Sequence, residues 1–510
     1  MTEQTTIISD SNNNTAPPPP HVVLVPLMAQ GHIIPMLDMA RLLAERGTFV
    51  TFITTPVNAL RIKPIIVRVH ESNLPIDFIE LPFPCTEAGL PPGCENCDLI
   101  PSNDLFPTFF SALQLLAHRL EQRLKDLVPH PTCMINDMFN PWTANVARSL
   151  NIRRLVFHGP SCIHIYCSHV FHLHKIYETV TDEFEEIAVP GLTDYDDAGR
   201  SFKVCRMHAP GWFNWPGYEK LREEVLHAEE AADGVVINTF DDVEPMFVEA
   251  YKKVVGKDVW TVGSLCLYDK DDDFSARIVR GNKAAVDQEK LLCWLDSMEE
   301  NSVLYVSFGS LIRMNVGQIL EIGSGLQASE VPFIWVIKDA EKCPKVEEWL
   351  EGFERRMSFR SFVIKGWAPQ AVILSHKSVG GFVSHCGWNS TLEAVSNGVP
   401  MITWPQFGDQ FLNERLVVEF LRIGIAIGVK IPVFNYGEDE IRVRRDDVER
   451  TVRSLMNDGE VAEERRIRAR EIKEKAIKSM EEGGSSYENI TKLVEYMKQE
   501  PRKVVQRTKA

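Results

Sequence analysis

With 510 residues, 44% of them hydrophobic, the chain is too long for one ordinary core and apolar enough to build two of similar size. Lys and Arg number 55 against 71 Asp and Glu, and the net charge of -16 argues against nucleic acid or an anionic membrane surface as partner. No segment approaches the roughly eighteen consecutive apolar residues of a membrane span.

The opening MTEQTTIISDSNNNTAPPPP lacks the basic start, apolar middle and small-residue cleavage site of a secretory signal, which predicts a cytoplasmic protein with a disordered tail over 1–20. His21 to Leu27 (HVVLVPL) then reads as a strand, Pro35 to Arg46 as a helix stopped by Gly47, and TFVTFITT as a second strand. Strand, helix, strand in so short a span is a βαβ unit of a parallel sheet. Cys94 and Cys97 form a lone C-x-x-C in PPGCENCD. Zinc would need a second ligand pair, so these thiols, like most of the eleven scattered cysteines, are expected to be small buried hydrophobes. A helical stretch from Leu105 to Leu127 precedes strands at Cys133 to Ile135 and Arg154 to Phe157, which makes the first half an α/β domain. The His-rich run His164 to His174 reads as a helix with a mixed surface, not a metal site.

Tyr268 to Lys290 is charged and aperiodic and marks a linker. A second series follows: VLYVSFGS (Val303 to Ser310), a helix around Gln318 to Leu326, then the strands in PFIWVIK, SFVIKGW, GGFVSHCG and PMITWP. The expected division is 21–265, a linker at 266–290, 291–485, and a terminal helix and tail over 486–510 that packs back on the first domain. Asp446 and Glu449 match a capping box before a charged helical region.

The most informative segment runs from Trp367 to Gln410, where a strand ends at SHCGWNS and a helix begins at once. Such a junction aims free backbone N–H groups and the positive end of a helix dipole at one point, which suits a diphosphate. Gly387 allows close approach, and His385, Asn389 and Ser390 can donate. With almost no Lys or Arg in the segment, dipoles and amides are expected to bind the anion. Ser390 and Glu393 also match a capping box, S-T-L-E, and Trp367 and Trp404 taken alone read as core or rim aromatics.

This segment resembles the signature box of plant family 1 glycosyltransferases, and MAQGHIIPMLDMARLL, INDMF and VLYVSFGSL extend the resemblance over most of the chain. It implies two Rossmann-like α/β domains facing across a cleft (GT-B type), an acceptor-binding first domain and a UDP-sugar-binding second one. It places uracil on Trp367 and the Ala368 backbone with Gln370 nearby, ribose on Glu393, and phosphates on Ser310, His385, Asn389 and Ser390 beside Gly387. Sugar hydroxyls fall to Trp388, Asp409 and Gln410. Gln at the box's last position goes with glucose in this family, which implies UDP-glucose. His32 in the loop AQGH is the implied base, with Asp137 holding its tautomer.

The resemblance further implies inverting transfer to a hydroxyl of a flavonoid, triterpenoid or similar metabolite by a monomer that needs no metal or other cofactor. Asp271 to Asp273 in YDKDDDF imitate the D-x-D of metal-dependent transferases, but no strand ends beside them and they read as a solvated charge run. Phe139, Trp142 and Trp404 are candidate acceptor-pocket walls. Ser264 in VGSLC, where relatives carry Pro, predicts a looser start to the linker. A nicotinamide-dependent oxidoreductase is disfavoured because neither first-strand turn carries G-x-G-x-x-G with its downstream acid. A non-catalytic binding protein of this fold, or a transferase of another UDP-sugar, are the remaining alternatives.

Overall fold

The computed structural model describes residues 19–192, 201–209, 217–268, 280–338, 343–433 and 440–499. Asp271 to Asp273, 1–18 of the N-terminal tail and the last residues from 500 lie outside the described residues.

Two parallel sheets form the frame. The first has β1 (His21–Val25), β2 (Phe49–Thr54), β3 (Ile76–Glu80), β4 (Cys133–Asp137), β5 (Arg153–His158), β8 (Gly234–Ile237) and β9 (Asp258–Thr261). The second has β10 (Val303–Ser307), β11 (Phe333–Ile337), β12 (Ser361–Lys365), β13 (Val379–Ser384), β14 (Met401–Thr403) and β15 (Gly424–Ala426). A small antiparallel pair, β6 (Glu186–Ala188) and β7 (Lys203–Cys205), stands apart. Strands such as β1, β4, β5, β10 and β13 are buried along their whole length, as strands covered by helices on both faces must be. This explains their continuous apolar runs. In β1 the buried His21 ring bonds the carbonyl of Pro129 and the Thr51 hydroxyl.

Strand order is what positions the site. The first sheet runs β3-β2-β1-β4-β5-β8-β9 and the second β12-β11-β10-β13-β14-β15. In each, the winding reverses between two central neighbours, β1 with β4 and β10 with β13. At such a switch point the connections leave to opposite sides and open a crevice at the strands' carboxyl ends. His32 follows β1, Asp137 ends β4, Ser310 follows β10 and His385 follows β13.

The helix after β1 spans Gln30–Glu45, so it starts five residues before Pro35, and His32 lies in its first turn instead of in a loop. Proline inside a helix removes the bond to the carbonyl four residues back. Here that carbonyl is Gly31, and it accepts instead from Nδ2 of Asn389 in the second domain. The break that would weaken an isolated helix is thus used to join the domains.

Both proposed capping boxes are absent as caps. The helix Arg445–Met456 has Arg444 at its N-cap and no side-chain cap bond, and the helix Trp388–Asn397 has Gly387 there. The helix Cys162–Leu173 is capped from a distance: buried Glu244 accepts from the backbone N–H of Cys162 (2.7 Å) and Ile163 (3.0 Å) and from the Thr239 hydroxyl (2.6 Å). Glu244→Ala is expected to cost about 1–3 kcal/mol in a urea unfolding titration by orphaning those donors. A change within error would show that the caps are dispensable.

An apolar cluster runs across the domain boundary, with Phe420 of the second domain against Phe202 (5.6 Å) and Phe247 (5.2 Å) of the first. Ser264 does not loosen the linker's start. It is fully buried and hydrogen-bonded at 2.6 Å to Ser396 on the helix Trp388–Asn397, a bond that proline could not make. The final helix, Ser485–Lys498, returns to the first domain along β9. Its Ile490, Leu493, Val494 and Met497 enter that core, and Asn489 donates to the Thr261 hydroxyl at 2.7 Å. The two chain crossings run side by side, with Gly263 packed against Met480 and Ser486.

Candidate active site

On the first domain's side, His32 Nδ1 lies 2.6 Å from Oδ2 of Asp137, whose other oxygen accepts from the Phe139 N–H at 3.0 Å. Asp137 is fully buried and His32 20% exposed, so the carboxylate is a fixed support and the imidazole meets the cleft. An ionised carboxylate only accepts, so Nδ1 carries the proton and Nε2 keeps a lone pair. Burial lowers the His32 pKa, but the charge and hydrogen bond of Asp137, with a further contribution from Asp409, outweigh it and leave the pKa raised above 6.5. The Phe139 ring packs edge-on against His32 at 5.7 Å and beside Phe110 at 6.2 Å, an aromatic wall at the imidazole. Ideal Cβ placement at Gly159 would come within 3.4 Å of His32, so this side of the ring is also closely packed.

Across the cleft, β13 ends at Ser384 and the helix Trp388–Asn397 begins four residues on. His385 lies between Gly309 and Gly387: a Cβ on Gly309 would come to 2.6 Å from its ring, and one on Gly387 to 2.5 Å. Gly309 also has φ +73, whereas Gly387, at φ -58, is required for space and not for its backbone angle. Burial lowers the His385 pKa to about 4, so the ring is neutral at pH 7. Its Nδ1 is buried with no hydrogen-bond partner among the described residues. An orphan nitrogen beside a helix N-terminus suits an anionic ligand. Ser310 lies on the facing loop and its carbonyl accepts from Lys338.

Gln370 organises the next turn. Its Nε2 donates to Ser390 Oγ (2.9 Å) and to Glu393 Oε2 (2.7 Å), while its Oε1 accepts from Tyr305 (3.3 Å). Ser390 and Glu393, which looked like a helix cap, are therefore joined through a third residue. Glu393 Oε1 accepts from Arg280 Nη1 at 2.5 Å. Two cations from outside the box stand at the site, Arg280 paired with carboxylates and Lys338 with the Ser310 carbonyl. Trp367 is half-buried, its carbonyl accepting from Ala285 N–H at 2.8 Å, and Ala368 beside it is buried.

Asp409 is pushed up to about 6 by burial, against a bond from Asn413 Nδ2 (2.7 Å) and the charge of His32. Each of the two charges acts on the other, which brings the first domain's imidazole and the second domain's carboxylate to one cleft. Gln410 is buried, and its Oε1 accepts from the N–H groups of Gln406 (2.8 Å) and Phe407 (3.1 Å). That fixes the amide and leaves Nε2 as its donor.

Three expectations change. Trp404 is 1% exposed and packs edge-on against Phe308 at 5.2 Å in the second domain's core, so it is no acceptor wall. Trp142 belongs to the first domain's core, its indole N–H donating to Asn140 at 3.1 Å. Trp388 and Asn389 serve the domain interface: the Trp388 indole donates to the Asn238 carbonyl (2.7 Å), and Asn389 bonds Gly31 and Asn238. Their backbone N–H groups in the first helical turn are what they offer a ligand. In the His-rich helix, His164 is buried with its pKa lowered to about 3 by burial. Among the described residues no group of three or more His, Cys, Asp or Glu could hold a metal ion, and no helix is long and apolar enough to cross a membrane.

Arg280 went unrecognised in the sequence because it sits in the middle of the aperiodic stretch, and its partners are 242 and 113 residues away. Gln370 was expected near the base but not as the residue joining Ser390 to Glu393.

Comparison with known proteins agrees with this arrangement. Residues 279–431 match the family described as UDP-glucoronosyl and UDP-glucosyl transferase, and 20–195 match a glycosyltransferase N-terminal domain. UDP-glycosyltransferase 73C3 of Arabidopsis thaliana is 44% identical over 93% of this chain and 95% of its own. Among solved structures, Glycyrrhiza uralensis UGT73P12 complexed with glycyrrhetinic acid 3-O-monoglucuronide is 33% identical, with a TM-score of 0.84 over 94% of this chain and 95% of its own. Phytolacca americana UGT2 complexed with UDP-2fluoro-glucose and pterostilbene is 26% identical, with a TM-score of 0.73 over 94% of this chain and 100% of its own.

Proposed function

Because the chain belongs to the plant family 1 UDP-glycosyltransferases, enzymes that transfer sugars to small molecules, we propose that its donor is UDP-glucose and its acceptor a hydroxyl of a flavonoid, triterpenoid or similar metabolite. The observation that carries the reading is the His32–Asp137 pair at 2.6 Å, across the cleft from an anion cradle centred on His385. His32 Nε2 takes the acceptor's proton as its oxygen attacks the anomeric carbon. The bond from that carbon to the diphosphate breaks, and the electron pair leaves with UDP from the opposite face. The centre is inverted and the product is a β-glucoside.

In this reading the leaving charge meets the N–H groups at the start of the helix Trp388–Asn397, neutral His385, and the Ser310 and Ser390 hydroxyls. Trp367 stacks on uracil with the Ala368 backbone at its edge, Glu393 takes the ribose hydroxyls, and Asp409 with the Gln410 amide reads the glucose. Phe139 and Phe110, their rings tilted by 51° to one another, offer the acceptor an apolar wall beside His32. Acting without a metal, as a cytoplasmic monomer, completes the proposal. The relatives that carry UDP-2fluoro-glucose with pterostilbene and glycyrrhetinic acid 3-O-monoglucuronide support a cleft for a UDP-sugar and a bulky acceptor.

Mass spectrometry after incubation with an acceptor panel and UDP-glucose, UDP-galactose or UDP-glucuronic acid tests the proposal. One hexose added from UDP-glucose in preference to the other donors, undiminished by EDTA, is expected. No transfer to any acceptor would favour a binding protein, a preference for another donor would overturn glucose, and loss in EDTA reversed by manganese would overturn metal independence.

A further inference from the structure

Arg280 stands between two carboxylates that belong to different domains. Its Nη2 is 2.6 Å from Asp38 Oδ2, on the helix Gln30–Glu45, and its Nη1 is 2.5 Å from Glu393 Oε1. The side chains are 9%, 4% and 11% exposed, in that order along Arg280, Asp38 and Glu393. Water therefore screens this trio little; Asp38 also has Arg41 at 3.9 Å, so removing Arg280 would tell most on Glu393, which would stay buried without its cation. The neighbouring linker residues are held at the same place. Gly281 packs so closely that a Cβ would be 2.5 Å from the Trp367 ring, and the Asn282 amide oxygen accepts from Gln30 at 2.9 Å.

A carboxylate has about four lone-pair sites. Arg280 takes one on Glu393 Oε1 and Gln370 one on Oε2, so each oxygen keeps capacity for a hydroxyl donor. This is the complement of a vicinal diol, held by two fixed cross-braces. One brace, Gln370, comes from the donor domain itself. The other is the linker arginine, and it is in turn anchored on the opposite domain. The Arg280 Nε is buried with no hydrogen-bond partner among the described residues, a further donor turned to no protein group.

We propose that Arg280 is a positioning residue for the nucleoside: through its bridge between Asp38 and Glu393 it sets the carboxylate that reads the ribose and ties that reading to closure of the two domains. The inference rests on the proposed role of Glu393 and goes beyond it, because it makes ribose recognition depend on a residue outside the donor box and on one in the other domain.

Calorimetric titration of the full chain with UDP and with 2′-deoxy-UDP separates the two claims. Wild type is expected to bind UDP about tenfold or more tightly than 2′-deoxy-UDP, the worth of a hydrogen bond to a charged acceptor. Arg280→Met, which keeps the apolar stem, should lose most of that discrimination and raise KM for UDP-glucose about tenfold, with kcat at saturating donor changed much less. Arg280→Lys should recover part of it. Asp38→Asn should reproduce a share of the loss from the other domain, and adding it to Arg280→Met should do little more, as expected of one coupled unit. Melting curves show that each variant is folded, and Asp38→Asn carries the test should Arg280→Met not fold.

A wild type indifferent to the 2′-hydroxyl, together with undiminished UDP affinity in Glu393→Gln, would remove the ribose role of Glu393. Full discrimination in Arg280→Met beside its loss in Glu393→Gln would overturn the role of Arg280 alone. Tighter UDP binding by Arg280→Met would show the guanidinium to be a plug over the site and would likewise overturn the inference.

Discussion

Replacing His32 by Ala is expected to lower kcat about 10²–10⁴-fold, the usual contribution of a positioned general base, while the affinity for UDP stays near wild type. The polar partner of the His32 ring is Asp137 in its own domain, whereas the residues assigned to uracil and phosphate lie in the second domain. Steady-state kinetics with UDP titration checks both halves of the statement; a variant that transfers sugar at the wild-type rate would remove the imidazole from the reaction. The pH profile carries the same argument. The base must be neutral, and Asp137 holds its pKa above 6.5, so the rate should fall as pH drops through that raised value. Asp137→Asn removes the negative charge. It should shift the limb to lower pH and also reduce the plateau, because an amide can donate to Nδ1 and so stabilise the wrong tautomer.

The second large effect is expected at a residue with no functional group. Gly387→Ala leaves the backbone unstrained, since φ -58 suits any residue, but its new methyl would come to 2.5 Å from the His385 ring. The ring cannot move toward Gly309, where a Cβ would already be too close. It must leave the helix N-terminus, and the diphosphate loses a donor. A hydrogen bond to a charged group contributes about 1.5–3 kcal/mol, so the Kd for UDP should rise about 10–100-fold with the melting temperature little changed. Unaltered UDP affinity in a folded Gly387→Ala would show that the diphosphate does not use this cradle.

How far the site was legible in sequence depended on whether its parts lie close along the chain. The strand ending in SHCGWNS and the helix after it are contiguous, and that junction alone pointed to an anion site. His32 and Asp137 were picked out by resemblance, and the switch point between β1 and β4 gives the physical reason that they meet. Local signals with two meanings were harder. Ser390 and Glu393 have cap spacing, yet Gln370, twenty residues before Ser390, decides their use. Pro35 looked like a helix start because the compensation for its missing N–H comes from Asn389, 358 residues from Gly31. Ser264 looked like a weakness for the same reason, its partner Ser396 being in the other domain. Trp404 has an aromatic's ambiguous address, and only packing against Phe308 assigns it to the core. Arg280 is the extreme case, a residue without periodicity whose meaning is wholly tertiary.

The packing of Gly263 against Met480 and Ser486 bears on how reactants come and go. The polypeptide passes between the domains at two places, and these places touch. Two separated crossings would resist rotation like a pair of struts, and opening would require one of them to stretch. Adjacent crossings act as a single pin: a small change of backbone angle there swings the distant mouth widely, and neither sheet loses a strand. Parting the domains there would rupture side-chain bonds across the mouth, such as Arg280 with Asp38 and Asn389 with Gly31, and the aromatic packing of Phe420 on Phe202 and Phe247, contacts that can break and re-form without unfolding either domain.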